Sequence, residues 1–230
     1  MLLPLISWPV FSVTSYRMLS GLSKQGICPN TIFDVGANVG QFAVAGAKIF
    51  PKATVYSFEP QPESIDRLKA NTKNTENIVV FPLALGDQKG EVSFFVNTHS
   101  HSSSILRLGE AHSQSFPEAQ ESSEIRVQVD TLDSVLSDVH IAAPSLLKID
   151  VQGYEIHVLQ GAKTILRQID YVILETSFKS LYRDEPVFDE MIETMQGYGF
   201  SFVRPIGWLS DPQTQEVLQM DALFVKRSMF

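Results

Sequence analysis

The fold of this 230-residue chain is decided by residues 31–40, which read TIFDVGANVG. Residues 31–35 are rich in apolar side chains, and Gly36 and Gly40 follow at a spacing of four. Residues 43–47, after the quoted segment, contain three alanines. Continuous apolar runs bounded by turn residues are typical of strands that are covered on both faces. The segment therefore predicts a buried strand, a tight turn and a helix, which together begin an α/β domain.

A second signal lies about 20 residues after the turn, where residues 56–60 read YSFEP and predict another strand that ends at Glu59. An acid at this position of an α/β unit grips the two hydroxyl groups of a ribose, so the pair of signals indicates a crevice for a nucleoside cofactor. A dinucleotide fingerprint requires glycine where this chain has Asn38 and Gln41. The spacing is instead Asp-x-Gly-x-x-x-Gly, the form found in turns that bind S-adenosylmethionine (SAM), a cofactor without a pyrophosphate.

The rest of the chain continues the alternation of strands and helices. Further strands are predicted at residues 54–58, 78–83, 146–151, 171–176, 200–204 and 222–226, and helices at residues 15–25, 62–74 and 186–198. The last two strands are joined by a polar, turn-rich stretch, which predicts a hairpin at one edge of the sheet. The expected fold class is α/β, a doubly wound, mostly parallel seven-stranded sheet with an antiparallel terminal hairpin strand.

One region interrupts this alternation. Residues 91–97 and 124–129 each alternate between apolar and polar side chains, and they flank a long polar stretch at residues 98–123. The flanking segments predict an inserted β-hairpin. Because a loop of this length in a compact domain is usually functional, we interpret residues 98–123 as a lid on the ligand side of the sheet.

Composition narrows the classes of partner. The chain has 18 basic and 26 acidic residues and a net charge of −8, which argues against a nucleic-acid substrate. Its single cysteine, Cys28, excludes an internal disulfide and a thiolate zinc cluster, and it fits a reducing, cytoplasmic location.

The apolar residues 1–11 contain two prolines and no basic region, so we expect no stable membrane insertion. We expect this arm to pack on the domain or on a second subunit of a homodimer.

A series of short motifs occurs in order along most of the chain. They are DVGANVG at 34–40, FEP at 58–60, ALGD at 84–87, SS at 103–104, TLD at 131–133, LKIDVQGYE at 147–155, VLQGA at 158–162, GF at 199–200 and DALF at 221–224. In this order they resemble the FkbM-type SAM-dependent methyltransferases. The resemblance spans about residues 30–226 and implies a class I methyltransferase (Rossmann-like) fold, SAM as the cofactor and O-methylation of a hydroxyl group on a natural product or sugar.

We therefore expect a single methyltransferase domain over residues 1–230. Its expected parts are an N-terminal arm and helix at 1–29, a SAM-binding half at 30–97, the lid loop at 98–123 and a substrate-side half at 124–230.

Five cofactor-binding candidates lie in the first turn. Asp34 ends the first strand, where its carboxylate could hold the amides of the turn, face the ammonium group of the cofactor or simply cap the helix. Gly36 and Gly40, with Ala37 and Asn38 between them, would let the backbone approach the methionine portion of SAM.

Four further candidates lie later in the chain. Glu59 is expected to bind both ribose hydroxyls, and Pro60 to shape the wall of the cleft. Asp87 follows Gly86 where such folds contact the edge of the adenine, although a simple turn explains it almost as well. Ser104, in the lid, matches an element of the family.

The candidate catalytic residues are Asp150, Lys148 and Glu175. Methyl transfer is an in-line displacement, so the protein must align the nucleophile and remove its proton. Asp150 could be the base or could orient the hydroxyl group, and Lys148, on the same face of its strand, would keep it ionised. Glu175 ends the fifth strand, and Glu155 could add a further acid. The alternative is that Asp150 and Glu155 only cap the following helix.

No metal site is predicted. Asp150, Glu155 and Glu175 could assemble an Mg²⁺ site, and the lid histidines could bind a transition metal, but neither set has a diagnostic spacing. These histidines are His99, His101 and His112.

The leading functional hypothesis is a SAM-dependent O-methyltransferase that acts on a small molecule or a glycan. The alternatives are a non-catalytic SAM-binding scaffold and, with less support, an NAD(P)-dependent oxidoreductase. The polar lid, rich in Ser, His and Glu, favours a hydroxylated acceptor such as a sugar.

Overall fold

The computed structural model of the protein describes residues 12–97, 103–109, 112, 115, 116 and 121–229. The N-terminal arm at residues 1–11 and two of the lid histidines, His99 and His101, lie outside the described residues. Within the described part, no helix is long and apolar enough to cross a membrane.

The strands and helices alternate along the chain as the sequence predicts. The strands are β1 (Thr31–Val35), β2 (Thr54–Phe58), β3 (Ile78–Phe81), β4 (Ala84–Leu85), β5 (Gly90–Asn97), β6 (Glu121–Asp130), β7 (Ser145–Ile149), β8 (Tyr171–Ser177), β9 (Phe200–Ser210) and β10 (Val217–Lys226). The α-helices are α1 (Val13–Lys24), α2 (Gln41–Ile49), α3 (Pro62–Thr72), α4 (Leu132–Val135), α5 (Glu155–Gln160) and α6 (Phe188–Gly197). Two short 3₁₀ helices cover Ile165–Gln168 and Arg227–Met229.

The main sheet has the strand order β3-β2-β1-β7-β8-β10-β9. Strands β3, β2, β1, β7 and β8 are parallel to one another, whereas β10 is antiparallel to both β8 and β9. This arrangement confirms the doubly wound, mostly parallel seven-stranded sheet with an antiparallel terminal pair. The strand order reverses between β1 and β7, and ligands of open α/β sheets bind at such a point.

The main sheet is buried on both faces, which explains its apolar strands. All residues of β1 and β7 are buried. Phe33 and Leu147 face one core layer, whereas Ile32 and Leu146 face a second layer that includes residues of α1 and α2. The second layer matters for the site, because alternation along the strands directs Asp34 and Lys148 to the same side.

The inserted segment forms a second, three-stranded sheet with the order β4-β6-β5. Strands β5 and β6 are antiparallel, which confirms the inserted hairpin, and β6 begins at Glu121 within the stretch assigned to the lid. Part of the lid also pairs with β5, since Phe95 and Ser104 exchange backbone hydrogen bonds of 2.7 and 3.1 Å. The division of the chain into the parts expected above stays a prediction.

The terminal hairpin is longer than the sequence indicates. Strands β9 and β10 continue through the stretch that the sequence assigns to turns, and the true turn lies between Ser210 and Val217. Pro205 lies within β9, which is the edge strand, where the missing N–H of a proline is tolerated. The register shifts beside Asp221, because Gly207 and Pro205 pair with successive residues of β10 and Ile206 is bypassed.

Gly161, after α5, offers a test of how the two sheets are joined. A Cβ atom at this position would lie 1.9 Å from the backbone oxygen of Gly86, at the end of β4. We expect Gly161→Ala to lower the free energy of unfolding by about 3 kcal/mol, because the backbone of β4 must move. Urea unfolding followed by far-UV circular dichroism measures this. The control is Gly21→Ala in α1, where a Cβ meets nothing within 4 Å. Equal stabilities of the two variants would contradict the prediction.

Candidate active site

The site lies at the carboxyl ends of β1, β2 and β7, where the turn at residues 36–40 crosses the edge of the sheet. The amides of Gly36 and Ala37 donate to the Phe58 carbonyl at 3.1 and 2.9 Å, which ties the turn to β2. Gly36, Asn38 and Gly40 have φ angles of 78°, 48° and 90°. The glycines and asparagine of the motif are thus the residue types that this left-handed backbone favours.

The two glycines of the turn are favoured by the protein's own packing and backbone geometry. A Cβ atom on Gly36 would lie 1.9 Å from the Asp150 carbonyl oxygen, and one on Gly40 would lie 2.5 Å from Leu68 Cδ1. The sequence-based explanation, in which the glycines only make room for the cofactor, is therefore incomplete. Gly36 lets β1 and β7 approach closely, whereas Gly40 is needed chiefly for its left-handed backbone, since the flexible end of Leu68 can shift.

Glu59 is fixed across the mouth of this turn. Its Oε2 accepts a hydrogen bond from the Asn38 amide at 2.8 Å, and its Oε1 accepts one from the Gln61 amide at 2.9 Å. The side chain is buried, and burial raises its pKa from 4.5 to about 7 in spite of these two donors. Each carboxylate oxygen can accept a further hydrogen bond, so both could also receive hydroxyl groups of a ligand.

A first cavity of about 630 Å³ opens beside Glu59. Gly36, Asn38, Glu59 and Pro60 contribute polar and backbone atoms on one side. The apolar part of the lining consists of Val35, Phe58, Leu83, Ala84, Leu85, Phe94, Ile105 and Val151. The mixture of apolar walls with few polar groups is typical of small-molecule sites.

Lys148 carries the positive charge at the floor of the site. Its Nζ lies 3.4 Å from Asp34 Oδ1 and 3.2 Å from Asp150 Oδ2, and it donates to the Gly36 carbonyl at 3.3 Å. Burial opposes the charge of Lys148, but Asp150 and Asp34 outweigh it and raise its pKa. The structure thus brings together Asp34, Lys148 and Asp150. Asp34 faces Lys148 rather than the amides of the turn.

The pKa values of the two acids of this group are shifted in opposite directions. Burial raises the pKa of Asp34, which is completely enclosed. Burial also acts on Asp150, but the charge of Lys148 prevails and lowers its pKa below the usual value. Asp150 is therefore ionised at neutral pH, as the sequence-based pairing with Lys148 predicts.

Two residues that the sequence reasoning missed complete the acidic side of the site. Gln152 Nε2 lies 2.7 Å from Asp150 Oδ1 and 2.7 Å from Glu175 Oε2. Asp221 stands directly opposite Glu175 in the pairing of β10 with β8. Burial and the neighbouring acids raise the pKa of Glu175 well above 4.5 and that of Asp221 to about 6. Both missed residues lie in quoted motifs, but only the strand register shows that they meet.

A second cavity, of about 750 Å³, adjoins the first. One side is formed by Lys148, Asp150, Glu175 and Asp221, and the other by residues at the start of α1. These residues of α1 are Ser12, Thr14, Ser15 and Met18. Gly36, Asn38 and Asp150 line both cavities, so Asp150 lies where the two spaces meet. The sequence does not indicate this role of α1.

Three other candidates make contacts within the protein. Glu155 Oε1 accepts the amides of Val151 and Gly153 at 2.9 and 3.2 Å, which is the turn-shaping alternative considered above. Asp87 lies 3.6 Å from His157 Nδ1 and is not among the residues that line the first cavity.

Ser104 is buried and joins the lid to the turn after β7. Its Oγ donates to the Gln152 carbonyl at 2.6 Å. Its neighbour Ser103 lines the first cavity.

Within the described ranges, no group of three His, Cys, Asp or Glu residues is arranged to hold a metal ion. In particular, Glu155 of the suggested Mg²⁺ set is engaged by backbone amides. His99 and His101 lie outside the described residues, so their interpretation as ligands stays untested.

SAM fits the first cavity by the chemistry of its lining. The carboxylate of Glu59, which could accept the hydroxyls of a ribose, lies beside apolar walls that could contact an adenine. Asn38 Oδ1 is buried at the turn, and no described residue donates a hydrogen bond to it. A ligand with its own donor would satisfy that oxygen. The strand order and this site together define a class I SAM-dependent methyltransferase.

The comparison with known families agrees with this class. The description "Methyltransferase FkbM domain" matches residues 34–202, and the chain therefore belongs to the FkbM methyltransferase family. Among solved structures, a chain of a fibrillarin/Nop5p complex superposes with a TM-score of 0.50 at 14% identity, covering 91% of this chain and 82% of that one. That likeness shows the fold alone.

Several relatives have names that state an activity. The 2-O-methyltransferase NoeI of Sinorhizobium fredii is 26% identical over 77% of this chain and 74% of its own length. The hexuronic acid methyltransferase AglP of Haloferax volcanii is 29% identical over 64% of this chain and 55% of its own length. The 31-O-demethyl-FK506 methyltransferase FkbM of Streptomyces tacrolimicus is 27% identical over 76% of this chain and 74% of its own length.

The ion pairs of Lys148 lead to a stability prediction. Lys148→Met should lower the free energy of unfolding by about 3–5 kcal/mol, because it leaves the buried Asp34 without its cation. The folded-state pKa of Asp34 then rises further above its unfolded value, so stability falls as pH rises through that interval. The loss should therefore be greater at pH 8 than at pH 5. Urea unfolding at both pH values measures it.

Lys179→Met is the control for this prediction. Lys179 pairs with Glu216 at 2.6 Å, but both side chains are about half exposed, so the expected loss is below about 1 kcal/mol. An equal loss of unfolding free energy in the two variants would contradict the prediction that the buried ion pairs of Lys148 stabilise the protein more than an exposed pair does.

Proposed function

We propose that the protein transfers the methyl group of SAM to a hydroxyl group of a sugar or a similarly hydroxylated small molecule. The observation that carries this proposal is the position of Asp150, an ionised carboxylate at the junction of the two cavities. Three relatives support the choice of acceptor, since two are named for O-methylation and one for a hexuronic acid.

The first cavity is the proposed cofactor site. SAM, when bound, supplies a methyl group on a positively charged sulfur. Glu59 would accept the two ribose hydroxyls, while its backbone donors keep the carboxylate in place. The turn containing Gly36, Ala37, Asn38 and Gly40 would hold the methionine portion. Pro60 lines the same space, whereas Asp87 does not, so an adenine contact of Asp87 has the weakest support.

The second cavity is the proposed acceptor site. Its hydroxyl and carboxyl groups can exchange hydrogen bonds with several hydroxyls of one sugar. Asp150 would accept the proton of the reacting hydroxyl, and Lys148 would hold Asp150 ionised and in place. Burial raises the pKa of Glu175 well above that of an ordinary glutamate, which favours its protonated form, so it would serve as a hydrogen-bonding group of the site rather than as a second base.

The NAD(P)-dependent alternative loses its support through membership of a methyltransferase family. A non-catalytic SAM-binding protein is the outcome that an activity test must exclude. The cytoplasmic location, the homodimer and the lack of a nucleic-acid substrate stay predictions.

The proposed role of Glu59 predicts a pH-dependent affinity for SAM. Ionised Glu59 can accept a hydrogen bond from a ribose hydroxyl at each of its two oxygens. In protonated Glu59, one oxygen carries a hydrogen and is a poorer acceptor. Because its pKa is about 7, the ionised fraction falls about tenfold as pH falls from 8 to 6, and the Kd for SAM should rise by up to about tenfold over these two pH units. Isothermal titration calorimetry at several pH values measures this dependence.

Glu59→Gln should weaken SAM binding by about 10- to 100-fold and remove most of the pH dependence. The control Glu63→Gln changes an exposed acid at the start of α3. If Glu59→Gln kept both the affinity and its pH profile, the ribose assignment would fail.

Methyl transfer itself can be tested with SAM that carries a radiolabelled methyl group. The acceptors are a panel of para-nitrophenyl hexosides and hexuronides, with total RNA as a separate arm. We expect label in a sugar product that resists mild alkali, because a methyl ether survives conditions that cleave a methyl ester. SAM binding without transfer to any acceptor in cell extracts would favour the non-catalytic alternative, and label in RNA would refute the acceptor class.

Asp150→Asn should lower kcat with the active acceptor by about 100- to 10,000-fold, because the base is lost. The Kd for SAM should change little, since the substitution keeps the size of the side chain. Steady-state kinetics and calorimetry separate the two effects. Asp138→Asn, an exposed acid, is the control, and wild-type turnover in Asp150→Asn would refute the assignment.

A further inference from the structure

The side-chain amide of Gln152 lies between two carboxylates of the site. Its nitrogen donates to Asp150 Oδ1 and to Glu175 Oε2, each at 2.7 Å. An amide nitrogen has two hydrogens, so these two acids use its whole donor capacity. Gln152 therefore determines how Asp150 and Glu175 stand relative to each other.

Tyr182 determines the orientation of that amide. Its hydroxyl group donates to Gln152 Oε1 at 2.6 Å. If the amide were reversed, its oxygen would face the ionised Asp150, and two acceptors would be in contact. The tyrosine hydroxyl thus selects the arrangement in which the nitrogen faces both acids. It acts on Asp150 without touching it.

Gln152 is held for this task by its backbone. It has a φ angle of 60°, and the next residue, Gly153, has one of 94°. The Gln152 carbonyl accepts the Ser104 hydroxyl at 2.6 Å, and Glu155 binds the amide of Gly153. A non-glycine residue with a left-handed backbone is uncommon and persists only where the surroundings enforce it.

Tyr182 is equally well fixed. Its side chain is almost completely buried, and Glu185 accepts the backbone amides of Leu181 and Tyr182 at 2.6 and 3.0 Å. Glu185 is held in turn by the hydroxyl group of Ser177, at the end of β8. The loop with Tyr182 is thereby anchored to the strand that carries Glu175.

The described part of the lid joins the same loop. The amide of Gly109 donates to the Leu181 carbonyl at 2.8 Å, and the amide of Arg183 donates to the Arg107 carbonyl at 3.0 Å. Leu108 and Tyr182 form an antiparallel bridge. The residues that fix the amide are therefore also those on which this segment of the lid rests.

We propose that Gln152 and Tyr182 are positioning residues of the methyl transfer reaction, in which the Tyr182 hydroxyl orients the Gln152 amide and the amide aims Asp150 at the acceptor. The inference rests on the proposed function of Asp150. The proposal also explains why residue 152 is a glutamine. Its neutral amide donates to both neighbouring acids and adds no charge between them.

The decisive variant is Tyr182→Phe, which removes one hydroxyl group and keeps the ring. Gln152→Asn is the second variant, because asparagine keeps the amide and tolerates the left-handed backbone but is too short to bridge both acids. Tyr198→Phe, at the end of α6, is the matched control. Thermal melting establishes that each variant is folded.

The first measurement needs no acceptor. The protein is labelled with carbon-13 in its Asp and Glu carboxyl groups, and the titration of Glu175 is followed by NMR and assigned with Glu175→Gln. Loss of the oriented donor should raise the apparent pKa of Glu175 by about 0.7 pH unit in Tyr182→Phe and in Gln152→Asn. The double variant should show no larger shift, because both changes act through one amide.

The second measurement uses the sugar acceptor found with labelled SAM. Tyr182→Phe should lower kcat by about tenfold, leave the Kd for SAM unchanged and shift the pH profile of kcat. In the Asp150→Asn background, the same substitution should have almost no further effect.

The outcomes separate this inference from the proposed function. A wild-type titration of Glu175 in Tyr182→Phe, or independent and additive effects of Tyr182→Phe and Gln152→Asn, would overturn the positioning role. Full turnover of Asp150→Asn would instead refute the base assignment. In that case the NMR titration still decides whether Tyr182 orients the amide.

Discussion

The site depends on one buried cation. Lys148 lies between Asp34 on β1 and Asp150 at the end of β7, and it also donates to the Gly36 carbonyl. A charge in this position would be costly without partners, because burial favours its neutral form. Asp34 and Asp150 make it favourable, and the lysine in return keeps Asp150 ionised. The same contacts join the turn, β1 and β7, so the geometry of the cofactor cavity and the charge of the candidate base have a common origin.

Acidic side chains outnumber basic ones around Lys148. Raised pKa values and neutral hydrogen-bond donors reduce the repulsion between these acids. Glu175 and Asp221 face each other across β8 and β10 with raised pKa values. Gln152 separates Asp150 from Glu175 without adding a charge. As a result, Asp150 is ionised at neutral pH, whereas Glu175 and Asp221 favour their protonated forms more than ordinary carboxyl groups do. Such divergence of pKa values is how sites assign different roles to similar groups.

Much of the site follows from local sequence. The turn after β1, the acid Glu59 and the pair of Lys148 and Asp150 could be assigned because strand ends, glycine spacing and alternation are local properties. The roles of Gln152, Tyr182 and Asp221 could not be assigned in this way. They meet only because β8 pairs with β10 and because the loop at residues 181–185 folds back on the turn after β7. Nor could the sequence separate Glu155, which binds its own turn, from Asp150, which faces the cavities.

By itself, the sequence determined the class of protein, the sheet with its antiparallel end and the cofactor turn, since these depend on hydrophobic period and on residue types at fixed spacing. It misjudged the length of β9 and β10, because their pairing continues through a polar stretch that resembles a turn, and Pro205 is tolerated there since β9 is an edge strand. Only the tertiary structure decided which acids share hydrogen bonds, that α1 closes the second cavity and that Gly36 is needed for the approach of β7. The physical reason is that pKa values, hydrogen-bond geometry and steric limits arise between residues far apart in the chain.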